Sequence, residues 1–550
     1  MMATHAGACA QPPKGEMSQT LTGLAGLARH LFAYARAVAT IPEPEPIDYP
    51  FAPSDVAQLH RVTQAGGAPS LDDQTWNDLL LERYLGELSA EASIFGRQEL
   101  YRRLRAGATD DARHAQRERV EALMRDPAAL QDIHRRMRSQ RAAETEVAEL
   151  LFEGERPAIP RWAGRTWPLP LGLLASLAAL ALSPLAWLGV AAVMYVLITA
   201  QVRYHERVQA WERSTHALQL LLRSCTVLAD VPGLAARGFP GSREQAGRIS
   251  GALSRSALAR VIPGAQGYRD WFMLANLNHY FKTVALVFDN RAFLRDCLLR
   301  CAALEADVAL ARHLLGRGAW CWAQGCASRE TVLDGALHPL LPSPAPLSLA
   351  LDGKGAFISG QNGVGKSTFL RTLGVNLVAA NAFGFCYARR ARVPMLPVYA
   401  SMQGEDSLLG GESLYMAELR RARELLAAPQ CAIFLVDEIF RGTNHVESVS
   451  AAAAVLDTLA ARSLVVVASH HLELASLLAQ RLDPYCIKRV GTALALERGV
   501  LAETNGIALL AAQGFDAGVQ HKAARVARWL ERYLAEPEAG KAVLGVAGVV

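Results

Sequence analysis

The sequence predicts an α/β domain of the P-loop kind with a mostly parallel sheet, preceded by an all-α region that a transmembrane helical hairpin interrupts. Three observations carry that prediction. They are the string "SGQNGVGKST" at residues 359–368, the apolar runs "GAFISG", "CAIFLVDE" and "SLVVVASHH", and a stretch between Arg165 and Arg203 without one charged residue. Short, partly β-branched runs separated by helical segments are the pattern of strands buried on both faces of an α/β sheet.

The 550-residue chain is long enough for several cores, and its 51% hydrophobic content lies at the upper edge of the soluble range. A net charge of +5 is too small an excess to identify a nucleic-acid protein, because phosphate-tracking surfaces concentrate charge on one face. The nine cysteines are scattered without a C-x-x-C pair, which argues against a zinc ribbon or dithiol redox motif and for reduced thiols in a cytosolic compartment. The first residues lack the basic start and apolar run of a secretory signal.

Residues 1–65 read as an N-terminal segment with one amphipathic candidate, "LTGLAGLARHLFAYARAVA", and a proline-rich linker, "IPEPEPIDYPFAP". Residues 66–160 are helical, since "WNDLLLERYLGEL" and "RQELYRRLRA" space apolar residues by three and four. Arg102, Arg103, Arg105, Arg113, Arg117 and Arg119 alternate with Glu99, Asp110, Asp111, Glu118 and Glu121, a pattern that reads as a solvated helix face rather than a DNA stripe. Residues 161–204 form the hairpin, broken at Ser183-Pro184 into halves of about 16 to 19 residues, roughly 24 to 28 Å of helix. Trp162, Trp167, Trp187 and Tyr195 suit the two interfaces, and Arg161, Arg165, Arg203 and Arg207 at both outer ends place the flanks in the cytoplasm. The competing expectation is a buried helical pair in a soluble bundle, and a shallow re-entrant hairpin is a variant of the membrane reading. Amphipathic helices return over 205–325, the nucleotide domain spans 326–535, and 536–550 is a small-residue tail.

The chemistry lies in the last large segment. Gly360, Asn362, Gly363, Gly365, Lys366, Ser367 and Thr368 make a G-x-x-x-x-G-K-[ST] loop between a strand and a helix. There, backbone N–H groups cradle phosphates, Lys366 reaches the β- and γ-oxygens of ATP, and Ser367 is a Mg2+ ligand. "CAIFLVDE" ends in Asp437, which can hold Mg2+, and Glu438, which can act as general base on the attacking water. A third strand ends in His470, positioned to sense the γ-phosphate, with His471 as the competitor for that role. Gly410, Gly411 and Ser413, at the start of a helix, make an anion-binding end whose target is a γ-phosphate held by a second subunit.

The string "DEIFRGTN", residues 437–444, resembles the D-E-[IL]-G-R-G-T-[ST] signature of the MutS mismatch-repair ATPases. In order, "GALHPLL", "GGESLYMAEL", "ASHHLEL" and "NGIALLAAQGFD" are similar to that family's His-Pro segment, its S-G-x-S-T-F-x-x-E-[ML] helix, its T-H-[YF]-x-E-L switch and the stretch after its sheet. "LDDQTWNDLLL", "ASIFGRQELYRRLRAG" and "RERVEALM" resemble its helical core and lever, in which T-x-x-G-x-R-x-L-x-x-W-L precedes R-x-x-x-V-x-x-L. Departures are Gln361, Gly363 and Val364 in the loop, Phe440 where the family writes glycine, and Asn444 where it writes Ser or Thr.

The resemblance implies an ABC-like P-loop ATPase domain behind an all-α lever and core, ATP and Mg2+ as cofactors, a homodimer joined through the ATPase domains, and double-stranded or branched DNA as a partner. The first 70 residues are too short for the family's mismatch-reading and connector domains, and the apolar hairpin stands where its DNA clamp interrupts the lever. The expected protein is therefore a nucleotide-driven switch in a bacterial-type inner membrane with its ATPase domain in the cytoplasm. Two alternatives stand beside it: an ABC or structural-maintenance ATPase, which should carry D-E-P where Asp437-Glu438-Ile439 stands, and a membrane scaffold without DNA binding, against which intact Lys366, Asp437 and Glu438 argue.

Overall fold

The computed structural model describes residues 51–535 apart from 65–70, 232, 234–242, 256–264, 327–328, 403–413, 429–430, 491–492 and 502–507. The amphipathic candidate near the N-terminus, the tail, and Gly410, Gly411 and Ser413 lie outside the described residues. The chain divides into two compact units, the larger built from 45–156, 213–250 and 287–550, the smaller from 157–212 and 251–286 with the N-terminal residues.

In the larger unit, twelve short strands are described: β1 (Cys321–Trp322), β2 (Gln324–Cys326), β3 (Thr331–Ala336), β4 (Leu347–Leu351), β5 (Gly355–Gly360), β6 (Phe385–Cys386), β7 (Arg390–Pro394), β8 (Val398–Ser401), β9 (Ile433–Asp437), β10 (Leu464–Ala468), β11 (Leu482–Val490) and β12 (Ala493–Arg498). Six form the central sheet in the order β12-β11-β5-β10-β9-β8. Its strands run parallel except for β12, which pairs antiparallel with β11 at one edge, so the sheet is mixed. β5, β9 and β10 are buried along their whole length, as their unbroken apolar text requires. A second sheet, β2-β7-β3-β4, was not foreseen. Its β4 alternates buried and exposed residues, and β3 buried and half-buried ones, over only five or six positions, too short a run to stand out from loop sequence.

Helices 73–78, 81–88, 94–106 and 110–125 precede the sheet, and the Arg291–Leu315 helix packs against the Ile94–Ala106 and Asp110–Arg125 helices. A further helix, Pro53–Thr63, lies where only linker was expected; Pro53 occupies its first turn, the one helical position that tolerates proline. The solvated-face expectation holds for Asp110, Asp111, Arg117 and Glu118, which are exposed, and fails for Glu99 and Arg103. Arg103 is buried and bonds Glu99 (2.7 Å) and Asp307 (2.6 Å), and Arg119 bonds the second oxygen of Asp307 (2.6 Å). Burial works to raise the Glu99 carboxyl, but Arg103 and Arg102 beside it outweigh burial and hold it below the ordinary range. Arg105 donates to Leu71 O (2.7 Å) and stacks over Trp76, and Arg113 bonds Asp110 and backbone carbonyls. Glu305 accepts from the N–H groups of Ser93 (2.9 Å) and Gly96 (3.0 Å) at the N-terminus of the Ile94–Ala106 helix, where the helix dipole favours an anion. A Cβ at Gly96 would meet Glu305 Oε2 at 2.7 Å, which accounts for glycine in "IFGRQ".

Three contacts dock the Asp73–Asp78 helix on strand β8. Ala400 N–H donates to Thr75 Oγ1 (2.9 Å), Arg421 donates to the Asp72 carboxylate (3.2 Å) and to Ala400 O, and Met402 N–H donates to Asp78 Oδ2 (2.8 Å).

The smaller unit contains the apolar stretch. Pro168–Ala179 is a 12-residue helix, and Ala186–Leu228 is one continuous 43-residue helix of which residues to Glu212 belong to this unit. The first helix is shorter than the 16 to 19 residues expected. Ala186–Leu228 is the one described helix long and apolar enough to cross a membrane. The two apolar segments approach closely, since a Cβ at Gly189 would meet Ser176 Oγ at 2.6 Å. The expectation of a pair buried in a bundle is not met. Pro168–Ala179 has no buried residue, and Leu182 (90%), Trp187 (62%), Leu188 (70%) and Val202 (72%) are exposed. Trp162 packs edge-on against Tyr204 and Phe281 while remaining partly exposed, and Trp167 and Tyr195 are exposed.

Burial raises the Asp78 carboxyl from its ordinary 3.8 to about 6, against opposing pulls from the Met402 amide and Arg421. Because the folded value is the higher one, this group's contribution is fully present below about pH 4 and is lost as pH rises through about 6. Asp78→Asn keeps an acceptor for Met402 and removes the charge. It is expected to raise stability at about pH 7.5 by of order 2 kcal/mol and to leave it unchanged near pH 4, read from denaturant unfolding at the two pH values.

Candidate active site

Register brings the site together. Ala468 on β10 pairs with Ile358 on one side and Asp437 on the other, so β5, β9 and β10 end at one level. The ladder continues one residue further, with Glu438 N–H donating to Ala468 O (2.9 Å) and Ser469 N–H to Ile358 O (3.3 Å). Gly360 closes β5, Glu438 follows β9 and His470 follows β10, all on the same sheet edge.

Asn362 and Gly363 form the exposed turn after β5, and Thr368 is exposed on the first turn of the Lys366–Phe383 helix. Gly365 caps that helix with φ 108°, a left-handed backbone that a side chain would strain. The Lys366 ammonium is turned into the loop, donating to Gly360 O (3.0 Å) and Gln361 O (3.4 Å), and only 7% of the residue is exposed. Burial lowers its pKa, with Glu438 and Asp437 pulling the other way. Asp437 is 5% exposed; burial raises its carboxyl, and a hydrogen bond with Ser367 opposes the rise. A buried carboxylate with a hydroxyl beside it is a donor set that suits Mg2+, a hard cation bound by oxygen.

Glu438 Oε1 lies 2.6 Å from His470 Nε2, and Glu438 Oε2 lies 3.4 Å from Arg441 Nη1. The bond from His470 holds the Glu438 carboxyl below its ordinary range against the effect of burial. His471 points elsewhere: a ring nitrogen lies 3.2 Å from Ser448 Oγ, and its ring sits 5.0 Å from that of His445. Among the expected site residues, Gly360, Lys366, Ser367, Asp437, Glu438 and His470 are thus gathered at one edge. Arg441 and Glu418 were not singled out from the sequence. Glu418 accepts from Gly442 N–H (3.2 Å) and lies 3.8 Å from Arg441 Nε, and the signal for both was their place inside the strings "DEIFRGTN" and "GGESLYMAEL".

Residues 356–529 match the family model described as MutS domain V. This span is a domain of the MutS kind. Relatives include Endonuclease MutS2 of Thermus thermophilus, 33% identical over 32% of this chain and 23% of that protein. The DNA mismatch repair protein MutS of Thermus aquaticus is 33% identical over 24% of this chain and 17% of its own length. The DNA mismatch repair protein MutS of Paracoccus denitrificans is 32% identical over 32% and 22%. The chain therefore spans about a quarter or less of the curated relatives it matches. MutS domain V is a P-loop ATPase-type domain, and MutS-family proteins in general are ATPases.

The MutS signature also explains a strained turn. Phe440 stands where the signature has glycine and has φ 59°, while its side chain is 1% exposed among Leu456, Val436 and Ile439. A left-handed non-glycine residue costs about 1–2 kcal/mol, and deleting a buried phenylalanine costs about 3–5 kcal/mol. Both Phe440→Ala and Phe440→Gly are expected to destabilise, with Gly the more stable of the two by about 1 kcal/mol, reversing the usual order of these residues. Denaturant midpoints of the two variants check this.

Proposed function

We propose that the protein is a homodimeric MutS-family ATPase, anchored in a membrane, that uses ATP binding and hydrolysis as a conformational switch. The observation that carries the ATPase part is the meeting of Lys366, Ser367, Asp437, Glu438 and His470 at one edge of the sheet.

The loop amides and Lys366 bind the ATP phosphates, and the Lys366 ammonium exchanges the Gly360 and Gln361 carbonyls for phosphate oxygens. Ser367 and Asp437 would hold Mg2+, which when bound neutralises charge on the phosphate oxygens. Glu438, ionised at neutral pH, accepts the proton of the attacking water. His470 orients that carboxylate through its 2.6 Å contact. Gly411 and Ser413 of one subunit would contact the γ-phosphate held by the other, which makes closure of the dimer depend on nucleotide.

DNA, double-stranded or branched, is the proposed further partner, and the similarity to proteins named for DNA mismatch repair supports it. The helical segments act as the lever that transmits nucleotide state.

The membrane part rests on the uncharged stretch 166–202, its exposed leucines and tryptophans, and the arginines at both of its ends. At about 1.5 Å per residue, the 12-residue Pro168–Ala179 helix is roughly 18 Å long and does not cross a hydrocarbon core of about 30 Å. The apolar pair therefore dips into the bilayer and returns to the side it left, which keeps the ATPase domain on the cytoplasmic face of a bacterial-type inner membrane.

Lys366→Ala is expected to lose ATP binding. Glu438→Gln is expected to bind ATP, accumulate as a nucleotide-held dimer and lose at least about a hundredfold in turnover. Wild-type hydrolysis by Glu438→Gln would remove Glu438 from the role of base.

After washing with high salt and with carbonate, the full chain is expected to remain in the membrane pellet, while a version with 166–202 replaced by a short Gly/Ser linker becomes soluble and keeps ATPase activity. Recovery of the intact chain in the carbonate supernatant rules out the anchor.

A further inference from the structure

Beside the catalytic pair, and unused by it, three metal-ligand side chains converge. A ring nitrogen from each of His445 and His471 and a carboxylate oxygen of Glu473 lie within 4.8 Å of one another. They come from two segments that flank the site. His445 opens the His445–Arg462 helix after the "DEIFRGTN" turn, and His471 and Glu473 follow β10 immediately after His470. His471 stands where the MutS switch signature has Tyr or Phe, so this group is not carried by the signature.

We propose that His445, His471 and Glu473 form a binding site for one divalent transition-metal ion of the Zn2+ class. Two imidazoles and one carboxylate are the donor set such ions take when they leave a fourth position open, and they are a poor set for Mg2+, which prefers oxygen.

The geometry suits that donor set. Tetrahedral coordination at about 2.0–2.1 Å places neighbouring ligand atoms roughly 3.3 Å apart, and His445 Nε2 and Glu473 Oε1 are already 3.4 Å apart. His445 and Glu473 are exposed and free to adjust. His471 is held in place, by the buried Ser448 against its ring (3.2 Å) and by Ser469 Oγ, which accepts from its backbone N–H (3.1 Å). A histidine fixed by its surroundings beside two adjustable partners is how outer-shell contacts prepare a ligand.

One effect opposes binding. His445 lies at a helix N-terminus, whose dipole disfavours a cation by about fivefold at most, and Glu473 supplies the compensating charge. The neighbouring Glu447 is not a ligand, because it is engaged by Thr443 Oγ1 (2.6 Å) and by the Asn444 turn. An ion bound here ties the loop after His470 to the start of the His445–Arg462 helix, and so restrains the residue that orients Glu438.

The probe is Co2+, titrated into the full chain in detergent without Mg2+ or nucleotide. Visible d–d absorption is expected to saturate at one ion per chain, to be displaced by Zn2+, and to lack the thiolate charge-transfer bands that Cys225, Cys297 and Cys301 would produce. His445→Ala and His471→Ala are each expected to weaken binding by about tenfold or more, and Glu447→Gln to leave it unchanged. His445→Asn, conservative at an exposed helix start, repeats the loss without a folding effect. Absence of absorption, thiolate bands, or binding that survives both His445→Asn and His471→Ala overturns the proposal. None of these readings depends on ATP turnover.

Discussion

Burial of charge at the tips of parallel strands is the constraint on which this architecture depends. Lys366 and Asp437 are both nearly inaccessible, and each departs from its ordinary pKa toward the neutral form because water has been removed around it. The loop carbonyls bound by Lys366 and the Ser367 hydroxyl bound by Asp437 offset part of that cost, which for a buried ion is several kcal/mol. What remains is a cationic and an anionic position whose mutual attraction offsets their burial only in part. A phosphate chain and a divalent cation complete both at once, and binding energy is gained where desolvation has already been suffered in folding.

The same economy runs through the helical part of the larger unit. Arg103, Glu99 and Asp307 form a buried network, joined by the half-buried Arg119, between the Ile94–Ala106, Asp110–Arg125 and Arg291–Leu315 helices, and removing Arg103 would leave two buried carboxylates without their shared partner. Arg421 and Asp78 extend such polar contacts to the edge strand β8, where Thr75 accepts a bond from the Ala400 amide. The sheet edge is thus closed by a helix rather than left open to pair with another chain. A displacement of β8 relative to the strand tips is felt by the Asp73–Asp78 helix through hydrogen bonds, which tolerate less error than apolar packing.

Much of the site was legible in the sequence because its chemistry is local. A loop with glycines at fixed spacing, and two carboxylates at the end of an apolar run, need no long-range information to be read, and parallel pairing then gathers the tips of β5, β9 and β10. Charged residues whose partners are distant in sequence were not legible. Arg103 and Asp307 are separated by 204 residues, and the alternation of signs around Arg103 looks the same whether the helix faces water or a partner. The short helix Pro168–Ala179 failed for a related reason, since an uncharged run marks the apolar region without marking where helix begins or ends within it. The second sheet failed because strands of three to six residues carry too few alternations to register.

The turn after β9 joins these themes. Glu438 and Phe440 both have left-handed backbones, at φ 53° and 59°, separated by a single residue. Such conformations persist only when surroundings over-determine them. Here the Glu438 amide is bonded to Ala468 O, its carboxylate is held between His470 and Arg441, and Phe440 is buried against Tyr415. The strain turns the chain sharply enough for Asp437 to end inside the sheet while the next side chain faces the nucleotide edge. Glycine at 440 would relax the turn but leave its aromatic socket empty. In this chain the geometry of the general-base candidate is therefore secured by hydrophobic burial two residues away, where the family signature relies on the freedom of glycine.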